Sequence, residues 1–240
     1  MIRTLLKNGR ADVIELPLSY SDLSEVLQQV LADMQKAENV ETRPAKIISV
    51  IKSIGGVGAS MIATQAASRY AEMHAGDQGG TCLLDLDLQF GSTASYLGVH
   101  QSLDFSDLLD AGSRIDGDLV QSVASTLPTG LHVITAPSDI IPMETVNANQ
   151  IYRIIDIASR EYDTIFIDLP GNWTNWSVSV VARSDIVLLV VELTIASLRQ
   201  AKRQLALLTS QGIAGKHVQV VVNRVEKKLF RSINLEDAEK

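Results

Sequence analysis

From Lys46 onward, short β-branched runs alternate with segments of helical period, and that alternation leaves few architectures open to the chain. The strand candidates are residues 47–51, 81–85, 132–136, 164–168, 186–191 and 218–222. Apolar residues recurring three and four apart predict helices at about 59–74, 105–110, 147–161, 176–183 and 195–211. The expected fold is therefore α/β: a doubly wound, mainly parallel sheet with helices on both faces. Ligands of such sheets sit beyond the carboxyl ends of the strands. That directs attention to residues 53–60, 85–91 and 168–171, which follow the first, second and fourth of these strands.

Residues 47–51 run into Ser53-Ile54-Gly55-Gly56-Val57-Gly58-Ala59-Ser60, and Met61, Ile62, Ala66 and Ala67 follow on a helix. Strand, glycine loop and helix in that order make a phosphate cradle. Glycines let backbone N–H groups turn inward, and the positive end of the helix dipole faces the anion. Ser60 stands where a hydroxyl would coordinate Mg²⁺. Lys52 reads as a solvated or rim lysine, since strand alternation does not reveal its direction; a stand-in role in phosphate binding is the alternative.

The second place is Leu84-Asp85-Leu86-Asp87-Leu88-Gln89-Phe90-Gly91. Carboxylates at i and i+2 on a strand end point to the same side, which suits a metal shell, with a helix cap in a solvated turn as the competing reading. The third is Thr164-Ile165-Phe166-Ile167-Asp168-Leu169-Pro170-Gly171, an apolar strand ending in a carboxylate. Trp173 and Trp176 follow it, either as interface anchors or packed on the sheet edge.

Composition narrows the function classes. At 46% hydrophobic and 20% charged, 240 residues can bury a core, so disorder is not the default. Lys and Arg number 21 against 28 Asp and Glu, a net charge of −7, which supplies no global attraction to nucleic acid or anionic lipid. Arg199, Lys202 and Arg203, and Arg224, Lys227, Lys228 and Arg231, read as solvated faces rather than a basic patch. The longest apolar run, Ile186-Val187-Leu188-Leu189-Val190-Val191, falls far short of the ~20 residues that span a bilayer. Cys82 has no partner for a disulfide and lies in an apolar run as a buried, inert thiol, so the chain reads as cytoplasmic. His74, His100, His132 and His217 lack ligand spacing and there is no G-x-S-x-G elbow, which removes metal-hydrolase and serine-hydrolase readings.

The glycine loop resembles the deviant Walker A loop of the ParA/MinD superfamily, K-G-G-x-G-K-[ST]. Gly55, Gly56, Gly58 and Ser60 match, while Ile54 and Ala59 stand at the two lysines. In that family the first lysine reaches across a dimer to the partner's nucleotide and the second neutralises the β- and γ-phosphates. Residues 84–98 resemble the D-x-D switch I segment, which implies that Asp87 sits beside the attacking water and the Mg²⁺ shell with Asp85 in support. Residues 164–171 resemble a Walker B strand running into switch II, which implies that Asp168 binds Mg²⁺ through water and reports on the γ-phosphate. Asn223-Arg224 matches the place where the family reads adenine.

The resemblance implies a P-loop NTPase-like fold, ATP and Mg²⁺ as ligands, and a nucleotide-binding set of Gly55, Gly56, Val57, Gly58, Ala59, Ser60, Met61, Asn223 and Arg224. It implies Ser60, Asp87 and Asp168 as metal residues, and Asp87 as the catalytic residue of any turnover that survives without the lysines.

Residues 1–40 read as helix, strand and helix, and residues 7–17 resemble the end of a response-regulator receiver domain, with Leu16-Pro17 where a Lys-Pro pair usually stands. Residues 38–44 read as a linker to a sheet domain over 46–240, and residues 234–240 read as a helix beginning, a sign of truncation at the carboxyl end. The three motifs behind such a fragment look most like the TadZ/CpaE branch, localisation and assembly factors of tight-adherence (Flp) type IV pili. That likeness implies a homodimer with ATP as an interface ligand, weak or absent hydrolysis, pilus secretion and assembly proteins as partners, and recruitment to a cell pole or inner membrane. The alternatives are an active partition or positioning ATPase on DNA or membrane, and a redox enzyme on the same scaffold, for which one cysteine is too few.

Overall fold

The computed structural model describes residues 45–76, 79–100, 102–142, 146–213 and 217–225. The chain divides into two units, Met1–Arg43 and Pro44–Lys240, and every described residue belongs to the second. The receiver-like fragment of residues 1–40, the linker, the carboxyl-terminal segment, and Lys227, Lys228 and Arg231 lie outside the described residues.

The apolar runs form strands β1 (Lys46–Lys52), β2 (Thr81–Asp85), β4 (Leu131–Ile134), β5 (Thr164–Asp168), β6 (Ile186–Glu192) and β7 (His217–Asn223). With a two-residue β3 (Ser125–Thr126) they make one sheet in the order β3-β4-β2-β5-β1-β6-β7. Every pairing is parallel except that of β3 with β4, so the doubly wound, mainly parallel sheet is as expected. The helices are α1 (Ala59–Met73), α2 (Thr93–Leu97), α3 (Phe105–Ala111), α4 (Gly117–Val123), α5 (Ala148–Glu161), α6 (Asn175–Arg183) and α7 (Ile195–Ser210).

Strand alternation sorts the core into two layers. Ile47 and Ile51 of β1, Cys82 and Leu84 of β2, and Ile165 and Ile167 of β5 face the larger one, which includes buried residues of α3 to α7. Ile48 and Val50, Leu83, and Phe166 face the other, where α1 packs. Helix α1 buries Ala59, Ala63, Ala67 and Ala71 at a four-residue spacing, and this small-residue stripe lets the helix sit close to the sheet. By the same parity Lys52, Asp85 and Asp168 all belong to the α1 face.

The connections place the site. From β1 the chain passes across β5 to β2, whereas from β5 it passes across β1 to β6, so neighbouring strands β1 and β5 send their loops opposite ways. This is the topological switch point at which open sheets bind ligands. Asp168 pairs in register with Val50 and with Asp85.

Three elements carry no readable period in the sequence. β3 has two residues and is set by the tight turn before β4, in which the Leu127 N–H donates to the Leu131 carbonyl at 2.8 Å. Helix α2 has five residues and stops at Gly98 with φ of 65°. Helix α4 has seven and is started by the Asp116 carboxylate, which accepts the Leu119 N–H at 2.8 Å.

Candidate functional site

The first turn of α1 begins at Gly58, whose φ of 92° is left-handed, with no side chain capping the helix and no acidic residue in the first turn. Its leading N–H groups are therefore left for an anion, and the dipole favours one. Gly56, with φ of 78°, makes the preceding bend. The loop, Lys52, Asp87, Phe90, Tyr96, residues 170–172 and Arg224 line a cavity of about 470 Å³.

Of the expected nucleotide-binding residues, Gly55, Gly56, Val57, Gly58, Ala59, Ser60 and Arg224 line this cavity. Met61 does not; it is exposed on the first turn of α1. Asn223 does not line it either. Its amide donates to the Val57 carbonyl at 2.9 Å, and a β-carbon on Gly58 would stand 2.5 Å from that amide nitrogen. The structure thus gives Asn223 the task of fastening the loop. Arg224 has a left-handed φ of 55°, and its guanidinium lies 3.6 Å from the Glu192 carboxylate.

Asp85 is buried. Its carboxylate accepts the Thr93 N–H at 3.1 Å, the Thr93 hydroxyl at 2.8 Å and the Asp87 N–H at 3.1 Å, tying the turn after β2 to α2. Burial raises its pKa, and the Thr93 and Asp87 bonds work against the rise. Only glycine fits at position 91 beneath this turn, since a β-carbon there would strike the β-carbon of Ala136. Asp87 is buried too, and its Oδ2 lies 2.7 Å from Nζ of Lys52.

Lys52 is therefore not the solvated rim lysine that the sequence suggested. Its side chain is 13% exposed, and its ammonium lies inside the cavity on the carboxylate cluster. Parity from Val50 decides this direction, and with both sheet faces buried that parity left no trace in the pattern of apolar residues.

Asp168 is fully buried, and neither carboxylate oxygen has a hydrogen-bond partner among the described residues. Burial first, then the Asp85 charge, pushes its pKa up to about 7, with the Lys52 charge and the Ser60 hydroxyl, which is near but makes no hydrogen bond to it, acting in the opposite direction. Native structures rarely leave a buried carboxylate without partners unless a ligand completes it. Among the described residues no group of three or more carboxylate, imidazole or thiolate side chains converges on one metal position. A hydroxyl at Ser60 with Asp87 and the orphaned Asp168 nonetheless fits Mg²⁺, which takes few protein oxygens and fills its shell with water and phosphate.

Trp176 is 3% exposed in the larger core layer and so is not an interface anchor, while Trp173 is half-buried at the edge of that layer. Cys82 is buried and its thiol is pushed up by burial. His74 stacks on Tyr70 at 4.0 Å between ring centroids, and half-buried His132 lies 3.4 Å from the Tyr162 hydroxyl, with burial lowering its pKa. No helix among the described residues is long and apolar enough to cross a membrane. Phe90 and Tyr96, which also line the cavity, fall within the segment 84–98 but carried no expected role of their own, and neither did Asn172 after the third segment.

Comparison with known proteins agrees with this geometry. The chain is 24% identical over 199 residues to a septum site-determining protein MinD of Emiliania huxleyi, covering 80% of this chain and 67% of the relative. The structure superposes on a ParA family ATPase from Chlorobium tepidum with a TM-score of 0.71 at 24% identity, covering 82% of this chain and 79% of that one. It superposes on the Mg-ADP complex of MinD from Pyrococcus horikoshii with a TM-score of 0.65 at 20% identity, covering 81% and 76%. Residues 45–214, the stretch that carries strands β1 to β6 and the glycine loop, match the family model of the AAA domain, and the chain belongs to that family, with the P-loop fold of the ParA and MinD proteins.

Proposed function

We propose that this chain binds Mg-ATP at the β1–α1 loop and acts as a nucleotide-dependent localisation and assembly factor of the TadZ/CpaE kind for tight-adherence pili. The observation that carries the reading is a glycine cradle without its usual cations. Gly55, Gly56, Gly58, Ser60 and Asp87 line the cavity and Asp168 lies buried at the end of β5, while Ile54 and Ala59 stand where the ParA/MinD loop carries lysine. Phosphoryl transfer depends on cations that neutralise charge developing on the transferred group. A site so depleted holds ATP better than it cleaves it, so ATP serves as the ligand of a homodimer interface that recruits pilus secretion and assembly proteins at a pole or membrane.

Calorimetric titration of ATP and ADP, with and without Mg²⁺, tests the binding half, beside an Asp87→Ala/Asp168→Ala double variant. Saturable Mg-dependent binding that weakens at least about tenfold in the double variant is expected. Steady-state turnover should stay near background, and a rate typical of an active partition ATPase would remove the assembly reading. Deletion of the gene should abolish surface pili while chromosome partition and septum placement stay normal. A septum or partition defect with intact pili would favour instead the positioning role that the names of its MinD relatives suggest.

A further inference from the structure

The cradle retains one cation at its carboxylates, and it comes from the strand rather than the loop. Lys52 ends β1, and its backbone is pinned. Nε2 of Gln204 on α7 donates to the Lys52 carbonyl at 3.0 Å and to the Ser53 carbonyl at 3.2 Å. The Ser53 N–H donates to the Val190 carbonyl at 3.0 Å, and the Ser53 and Ser197 hydroxyls lie 2.8 Å apart. The aliphatic stem runs beside Gly171, where a β-carbon would stand 3.6 Å from Cδ of Lys52. The ammonium then reaches Asp87 Oδ2 at 2.7 Å, inside the cavity lined by the loop. Arg224, the other cation lining the cavity, is 61% exposed and paired loosely with Glu192 at 3.6 Å.

We propose that Lys52 is the phosphate-binding cation of this site, stored on Asp87 until the terminal phosphates of a nucleotide take it over and release Asp87 to the metal shell. The proposal rests on the nucleotide reading above and adds one cation for holding the terminal phosphates of the bound nucleotide, where the ParA/MinD loop carries two. An ammonium is a compact point charge on a flexible stem, so it moves between neighbouring anions while its anchored backbone stays still. A di- or triphosphate oxygen cluster carries more charge than one carboxylate and attracts the ammonium more strongly. The stored pair also keeps Asp87 neutralised while no ligand is present, since an unpaired charge at this depth would be costly. Nucleotide arrival and the freeing of Asp87 become one event.

The test is calorimetric titration of ATP, in EDTA and, where the metal-free heats are too small to fit, with Mg²⁺, into wild type, Asp87→Asn, Asp87→Asn/Lys52→Met and Asp87→Asn/Lys52→Arg, the Lys52 effect being read within the Asp87→Asn background under one condition. Asp87→Asn gives up the storage partner in advance and should bind ATP about threefold or more tighter than wild type. Adding Lys52→Met to it should weaken binding about tenfold or more, the worth of a charge-assisted bond. Lys52→Arg should restore most of that loss. The double variants leave no orphaned carboxylate at position 87, so they fold if Asp87→Asn does. If Lys52→Met changes the affinity of Asp87→Asn by less than about twofold, Lys52 is only a structural partner of Asp87 and the proposal falls while the nucleotide reading stands. If neither wild type nor Asp87→Asn binds ATP at millimolar concentration even with Mg²⁺, both fall.

Discussion

Asp168 ends β5 with both oxygens unpartnered, and its titration links the site to stability. In the unfolded chain this carboxyl ionises near its ordinary value of 3.8, and in the fold only near about 7. Between those values the native state holds the extra proton, so the contribution of Asp168 to stability is unimpaired below about 4, declines as pH rises, and is at its least favourable above about 7. Asp168→Asn should therefore leave stability nearly unchanged at pH 4 and raise it at pH 8 by a few kcal/mol, since each tenfold change in proton affinity is worth about 1.4 kcal/mol. Urea denaturation of the two proteins across that range measures the difference, and an equal gap at both ends would contradict it. Asp85, Asp87 and Asp168 were legible as a group from strand ends and spacing. The direction of Lys52 and the parts of Phe90 and Tyr96 in the lining were not, because strand parity and the path of the loop through 84–98 decide them rather than residue type or spacing.

The strand–loop–helix element around Gly58 joins two separable demands, a left-handed backbone and room for Asn223. Gly56 needs only the first, since a β-carbon there, with φ of 78°, meets nothing within 4 Å. Gly58 needs both. Gly56→Ala should cost about 1–2 kcal/mol, the strain of a left-handed residue. Gly58→Ala should cost about 2–4 kcal/mol and also release the Asn223–Val57 hydrogen bond, weakening nucleotide binding in a way that Gly56→Ala does not through this bond. Thermal melts and titrations of both variants measure the contrast, and equal costs would mean that Asn223 gives way freely. At this scale the long elements were readable. The bounds of β2 and β5 match the expected residues, and the long helices differ from expectation by a residue at one end. The short α2, α4 and β3 were not, because a helix of a turn or two or a two-residue strand is specified by a cap or a turn rather than by a repeating face.

For the whole molecule, a ligand bridging the ends of β1, β2 and β5 should stabilise the sheet globally, because it binds only where the three strand ends are brought together. At a hundredfold excess over its dissociation constant, Mg-ATP should add about 2.7 kcal/mol, which for a domain of this size is about 5–10 °C in Tm. Differential scanning fluorimetry should show that rise in wild type and its loss in Asp87→Ala/Asp168→Ala. An equal rise in both would place the nucleotide elsewhere. The sequence by itself determined the class of fold and the location of the cradle, because apolar runs, helical periods and a glycine loop are local signals whose physics is short-range. Only the tertiary structure decided the direction of Lys52, the burial of Trp176, the isolation of Asp168 and the fastening of the loop by Asn223. Each of these joins residues distant in the chain, through strand order and the packing of both sheet faces, and a sheet buried on both sides leaves no alternation in its strands from which to read them.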